Sequence, residues 1–319
     1  MRFDIITIGS GTVDVFVHPA TPEIEKHAGH LDVCYHIGEK ILVDKLTVDT
    51  GGGGTNTAVA FARLGLRTGW LGVLGTDMNA QIVRDALQQE GVQLLGPTVE
   101  GMTGYSVIMV GLRKDRAILA YKGVNDRLRT SPHLSAPWLY CSSMMGDSFH
   151  TLVRIVKQAK AKGVKYAFNP SMYIARLGAA KLRPLIDDCD LLVCNREEAA
   201  AILGKGASDV RALLRGLQEH AKLVVVTDGA KGAWATNGID MFTIKPRPIK
   251  VVETTGAGDS FAAGVVAGLV LRNDLVFGLQ CGMAEAESVI QHIGAKNILL
   301  RRTQLLRESQ RYKVARSVL

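Results

Sequence analysis

The chain has no C-x-x-C pair among its five cysteines, no apolar run long enough to cross a bilayer, no low-complexity linker and no internal repeat. Cys34, Cys141, Cys189, Cys194 and Cys281 are odd in number and widely scattered, which excludes a disulfide framework or zinc ribbon and leaves reduced core thiols. A spanning helix takes about 20 apolar residues, and the stretch from Phe261 to Leu271 falls short of that. The opening MRFDIITIGSG places one basic and then one acidic residue before a short apolar run, unlike a secretory leader. A soluble, cytoplasmic protein without a membrane partner is the expectation. Two nucleotide signatures are missing as well. G-x-x-x-x-G-K-[ST] does not occur, and GSGT at 9–12 supplies only G-x-G, with Asp14 where a dinucleotide fingerprint needs its third glycine.

Charge is scarce. With 21% charged and 47% hydrophobic residues in 319, the chain is able to bury a large core and does not read as disordered or fibrous. Its net charge of +8 hints at nucleic acid, but residues 301–319 carry six Lys or Arg against Glu308, which supplies +5 of the total. The remainder is close to balanced. This basic C-terminal tail is therefore read as a solvated terminal helix, and no nucleic-acid partner is expected.

From about residue 138 short β-rich runs alternate with helical stretches: LYCSS, a helix over 148–162, KYAFNP, a helix near 178–187, LLVCN, helices over 196–220, and LVVVTDG. Such alternation predicts a parallel sheet with helices on both faces. DIITIGS and GWLGVLG read as further strands, and TNTAVAFARLG as a helix with Ala58, Phe61, Ala62 and Leu64 on one side. Two segments break the rhythm. Residues 12–50 and 103–122 show period-two patterning without helices, the second with a turn at Lys114 and Asp115, and together they predict a small β-lid. No second domain is expected within 1–319.

VVETTGAGDSFAAGVVAGLVL reads as a strand, a tight turn and a helix with Phe261, Val265, Val266 and Leu269 spaced for burial. Gly256, Ala257 and Gly258 strip the turn of bulk where helix N-terminal amides meet a ligand, which suits phosphate oxygens. Asp259 follows in the first turn. A carboxylate there steadies the helix through its dipole, but that does not require three bare positions ahead of it. A general base beside an anion hole accounts for more of the stretch, and it is the minimum for phosphoryl transfer to an alcohol. In DTGGGGTNTAVAFARLG, residues 49–65, the glycines open the backbone and Asn56 offers a donor and an acceptor suited to a hydroxyl-rich ligand; Thr55 or Asn56 as a plain helix cap is the alternative.

Taken together these stretches resemble the ribokinase or PfkB family of carbohydrate and nucleoside kinases, whose signatures stand here as Gly52 to Gly65 and Glu253 to Phe261. The resemblance extends over nearly the whole chain, through Asp14 after the first strand, KGVNDRL at 122–128, Asn195 and Glu198 in CNREEAA, and VTDGAKG. It implies a ribokinase-like three-layer αβα sandwich with a mostly parallel central sheet and a small β-lid, and transfer of the γ-phosphate of ATP to a sugar hydroxyl. It also implies roles: Asp259 as base, Gly256, Ala257 and Gly258 as anion hole, and Asp14, Gly52, Gly53 and Asn56 at the acceptor hydroxyls. Asn195, Thr227, Gly229 and Gly232 would line the nucleotide site, with Glu198 holding Mg²⁺ through water. Asn195 ending a strand and Glu198 favouring a helix N-terminus are the alternatives there.

Two departures qualify this. Glu253 stands where the family has Asp, so a monovalent cation is not carried over, and Glu285 and Glu287 occupy a helix that is typically alanine-rich near the adenine. A nucleoside acceptor stays open through Phe16, Tyr35 and Tyr105 as base platforms, and a phosphorylated sugar through Arg113, Lys114 and Arg116. HAGHLDVCYH gathers His27, His30, Cys34 and His36, but its spacing fits no common zinc site. Lid strands of the family often pair between subunits, which implies a homodimer.

Overall fold

A run such as Ile5-Ile6-Thr7-Ile8, apolar without alternation, forms a strand only where both of its faces are covered, and all four residues are buried. This strand, β1, lies inside a large sheet. The structure, a computed structural model, describes residues 3–20, 23–27, 30–110 and 116–319. Among them ten strands form that sheet, in the order β7 (Gln93–Leu94), β6 (Thr68–Leu71), β1 (Ile5–Ile8), β10 (Trp138–Ser142), β11 (Lys165–Asn169), β12 (Leu191–Asn195), β13 (Val224–Thr227), β14 (Ala233–Thr236), β15 (Asp240–Ile244) and β16 (Val314–Val318). The strands from β7 to β13 are parallel to one another, and β14, β15 and β16 are added antiparallel.

Helices cover both faces. On one lie α1 (Gly53–Arg63), α2 (Met78–Gln89), α8 (Ala257–Arg272), α9 (Leu275–Val289) and α10 (Arg302–Ser309), which pack with Ile5, Tyr140 and Val225. On the other lie α3 (Gly146–Ala161), α4 (Met172–Ala175), α5 (Gly178–Ile186), α6 (Arg196–Leu203) and α7 (Val210–Gln218), which pack with Ile6, Cys141 and Val226. Neighbouring strand residues thus feed opposite cores, as the pleat requires. The three-layer αβα sandwich and its mostly parallel sheet agree with the sequence reading.

α8 is buried from Ser260 through Leu269 on every side. It meets α9 backbone to backbone: a Cβ on Gly264 would lie 2.7 Å from the Cys281 carbonyl oxygen, and one on Gly268 would lie 2.5 Å from the Gly278 Cα. That seam fixes where the N-terminus of α8 points.

A second sheet stands apart, ordered β5 (Val43–Gly51), β2 (Thr12–Pro19), β8 (Gly104–Val110), β9 (Arg116–Tyr121), and β3 (Glu23–His27) pairs with β4 (His30–Cys34) as a separate hairpin. These are the segments with period-two patterning. The expected turn at Lys114 and Asp115, with Arg113, lies outside the described residues. The side chains of Arg116, His27 and His30 do too. Among the described residues no group of His, Cys, Asp and Glu is arranged to hold a metal ion, and no helix is long and apolar enough to cross a membrane.

Two readings of local sequence need correction. Residues 251–254 form no strand; the amides of Val252 and Glu253 both donate to the Ile290 carbonyl at the end of α9, at 2.8 and 3.2 Å. β-branched residues favour a strand only beside a free strand edge, and here the neighbouring backbone is a helix terminus. The basic segment 301–319 is only partly a helix: after α10 it returns as the edge strand β16, where Arg316 pairs with Asp240 at 2.6 Å. Arg311 is likewise neutralised, by Glu308 at 2.7 Å.

Candidate active site

The loop after β1, the start of α1 and the start of α8 converge at the carboxyl ends of the central strands. The Ser10 carbonyl accepts the amides of Gly54 and Thr55 at 3.1 and 3.3 Å, so α1 begins inside the glycine run, two residues before the TNTAV stretch. Gly52 sits there at φ 94°, and a Cβ on it would lie 2.5 Å from the Ser10 oxygen. Only glycine fits that position.

Asn56 is buried, and its Nδ2 donates to Asp259 Oδ2 at 2.8 Å, joining the two signature stretches across the site. Among the described residues the Asn56 amide oxygen has no hydrogen-bond partner. Burial pushes the Asp259 carboxyl above the usual carboxylate range; the Asn56 hydrogen bond and the Lys296 ammonium oppose that rise, and the charge of Asp14 adds to it. Asp14, on β2 opposite Ser106 of β8, is also raised by burial and accepts from Thr12 Oγ1 at 2.8 Å. A Cβ on Gly53 would lie 3.3 Å from Ser142 and 3.4 Å from Asp259 Oδ1, so the bare backbone there leaves room between those two side chains.

Of the first four amides of α8, which have no carbonyl four residues back inside the helix, Ala257 donates to Thr254 at 3.2 Å and Ser260 to Gly256 at 2.8 Å. The turn thus spends the Ala257 amide, contrary to its reading as an anion-hole donor. Gly258 and Asp259 remain to face a ligand. Gly256 serves differently: it adopts φ 78° where a Cβ would lie 2.5 Å from Ala295.

Two cavities meet at this turn. A polar one of ≈ 240 Å³ is lined by Asp259, Ser142, Ser143, Ser171, Asn195 and Glu198 among others, and an apolar one of ≈ 630 Å³ by Gly229, Gly232, Val251, Phe261, Met283 and Ile290 among others. Thr227 and Gly258 line both. Asn195 and Glu198 form a reciprocal capping box on α6, with Glu198 N–H to Asn195 Oδ1 and Asn195 N–H to Glu198 Oε2 both at 2.8 Å. Asn195 thus stands at the end of β12 and Glu198 in the first turn of α6, and both residues also line the polar cavity. Burial lifts the Glu198 carboxyl to about 7, with Asp259 adding to the rise.

The two helix acids part company. Glu287 lines the apolar cavity and accepts three hydrogen bonds from Arg247, at 2.6, 3.1 and 3.0 Å. Glu285 faces away, buried against the Leu300 amide at 3.2 Å. Glu253 binds the amide of Thr255 at 2.6 Å. Among the suggested platforms Phe16 shares the Asp14 face of β2, whereas Tyr105 pairs with Val13 on the opposite face and packs against the core. Sequence reasoning missed Lys296, a buried ammonium that donates to Thr55 Oγ1 at 3.2 Å. Its only signal was a lone lysine in GAKN.

The pfkB family carbohydrate kinase model matches residues 29–301. The chain belongs to the pfkB family of carbohydrate kinases. This kinase is 26% identical to a ribokinase from Haemophilus influenzae, over 84% of this chain and 90% of the relative. Its fold is similar to an Arabidopsis thaliana ribokinase complexed with ribose and ATP, at TM-score 0.80 and 22% identity over 97% of this chain and 99% of the other. It is equally similar to an adenosine kinase from Sinorhizobium meliloti, at TM-score 0.81 and 21% identity over 97% and 100%.

Proposed function

We propose that this kinase transfers the γ-phosphate of ATP to a hydroxyl of a sugar, acting as one domain with the second sheet as its lid. The observation that carries the reading is the neck between the cavities. A carboxylate held by Asn56 lines the polar chamber, and the residue before it, Gly258, lines both the polar chamber and the apolar one. In this arrangement the acceptor hydroxyl hydrogen-bonds Asp259, which takes its proton as the oxygen attacks the γ-phosphorus, and ADP leaves. The amides of Gly258 and Asp259 face the charge spread over the transferring oxygens. Asp14, Gly52, Gly53 and Asn56 orient the acceptor, and Thr227, Gly229 and Gly232 border the nucleotide. The apolar chamber suits the flat base of ATP.

Glu198 and Asp259 are two half-buried carboxylates on one cavity, an all-oxygen donor set that fits Mg²⁺. Glu198, with Asn195 beside it, would hold that ion through water, and the ion would neutralise phosphate charge there.

A nucleoside acceptor is favoured by one feature, Phe16 on the face of Asp14. The hydroxyls of Ser142, Ser143 and Ser171 and the modest size of the polar cavity favour a monosaccharide. A second copy of the chain is the expected partner of the lid, where Leu46 and Val48 on β5 and Leu119 and Tyr121 on β9 are exposed. Four buried, unbridged cysteines suit the reducing cytoplasm.

The test is a panel of sugars, sugar phosphates and nucleosides with ATP and Mg²⁺, read by phosphorylated product. Turnover with a free monosaccharide at kcat/KM at least tenfold above any nucleoside supports the reading. A nucleoside as best acceptor would replace it.

A further inference from the structure

The apolar chamber has one charged stretch of wall. Of the described residues that line it, Arg247 and Glu287 alone are charged, the first on the coil after β15 and the second on α9. Replacing a buried ion pair by packed hydrophobic residues of similar volume is often neutral or stabilising, so stability alone does not account for the pair. Its geometry is closely fixed. The Arg247 amide donates to Glu287 Oε1 at 2.6 Å, while Nε and Nη2 both donate to Oε2, at 3.1 and 3.0 Å.

The two partners are unequally hidden. The Glu287 side chain is 3% exposed and that of Arg247 is 35% exposed, so the carboxylate is the buried anchor and the guanidinium the accessible group. Arg247 also borders an outer hollow lined by Tyr312, and its Cζ lies 5.1 Å from the centroid of that ring. It thus stands as a partition, with Tyr312 on one side and the chamber on the other. Pro246 and Pro248 flank it. A proline fixes its own φ and restrains the residue before it, so the guanidinium is presented from a stiff segment.

A guanidinium already met by a carboxylate has little charge left for a phosphate, and Arg247 does not line the polar cavity where Asp259 stands. Its flat face stays available. Guanidinium planes stack on aromatic rings, and a purine offers a larger ring surface than a pyrimidine. We propose that Arg247 lies flat against the base of the phosphate donor and so favours purine over pyrimidine nucleotides, with Glu287 as the positioning residue that holds the guanidinium in place. The proposal rests on the apolar chamber being the site of the nucleotide base.

The experiment is calorimetric titration of ADP and of CDP, each with Mg²⁺ and without acceptor, into the wild type, Arg247→Ala, Arg247→Lys and Glu287→Gln. The two probes share ribose and diphosphate and differ only in the base. Arg247→Ala weakens ADP about tenfold, within the range of a desolvated cation–π contact, and CDP by about threefold or less. Arg247→Lys, which keeps the charge and loses the plane, follows Arg247→Ala. Glu287→Gln separates a base contact from a phosphate contact by sign. A guanidinium released from its anchor binds ADP more weakly, whereas one acting on phosphate would bind it more tightly once the opposing carboxylate is gone. In turnover the loss falls on the KM for ATP ahead of kcat. Should Arg247→Ala fail to fold with a buried carboxylate left unpaired, Arg247→Ala combined with Glu287→Leu, which removes both charges, carries the same comparison. Equal losses for ADP and CDP, full affinity in Arg247→Lys, or tighter ADP in Glu287→Gln would overturn the proposal. A wild type that binds neither probe would sink the nucleotide reading itself, and the proposal with it.

Discussion

The two sheets of this kinase are supported in opposite ways. The large sheet is covered on both faces, and the helix that carries Asp259 is buried on every side and locked to α9 at glycine contacts. The second sheet carries Asp14 near its base, but its strand β5 is exposed over Val43 to Leu46 and β9 leaves Ile118, Leu119 and Tyr121 open. Groups proposed for chemistry thus sit on the well-packed half, and a group proposed to read the acceptor sits on the thinly packed one. Regions with few buried contacts open at lower free energy than a packed core. Substitutions should therefore divide: those at the second sheet act on acceptor binding, and those at α8 act on turnover or stability.

Asp14→Asn gives the largest split. It removes a charged acceptor from a substrate hydroxyl, a contact worth roughly 1.5–3 kcal/mol, so the acceptor KM rises about 10- to 100-fold while the KM for ATP stays near wild type. Steady-state kinetics in both substrates checks this. On the packed half, Gly264→Val forces a side chain into the Cys281 carbonyl, and overpacking of this kind costs about 1–3 kcal/mol. The urea midpoint falls accordingly. A midpoint equal to wild type would show that the seam gives way freely.

Glu285 supplies a pH signature of the same packed half. Burial lifts its carboxyl from 4.5 to about 8, so between those values the folded chain binds a proton that the unfolded chain has lost. Its contribution to stability is present below about 4.5 and declines as pH rises toward 8. Glu285→Gln flattens the fall of the urea midpoint between pH 5 and 8. The smallest effect on folding is at the exposed face, where Leu119→Glu changes stability by no more than about 0.5 kcal/mol. It dissociates the proposed dimer, as read by sedimentation.

Much of this layout was legible. The alternation after residue 138 and the period-two segments 12–50 and 103–122 report local burial, which the chain writes directly into residue choice. The failures came where distant backbone decides. Val251, Val252 and Thr254 are β-branched, yet the end of α9 takes the amides of Val252 and Glu253. The Ala257 amide looked free because a turn bond to Thr254 leaves no mark on residue type. Asn237-Gly238 between β14 and β15 is a hairpin signal, and the alternation in KVARSV suits an edge strand, so the antiparallel edge was readable although it went unread. Lys296 was beyond reach, since its carboxylate neighbours come from residues 14, 49, 90 and 259.

The central claim is that the Asp259 carboxylate takes the acceptor's proton beside amides that hold the moving phosphate. Measuring turnover of Asp259→Asn on the best acceptor, with ATP affinity and thermal midpoint recorded alongside, tests it most directly. A drop in kcat of about two to four orders of magnitude with both controls near wild type is the predicted result. Turnover at the wild-type rate would contradict the claim.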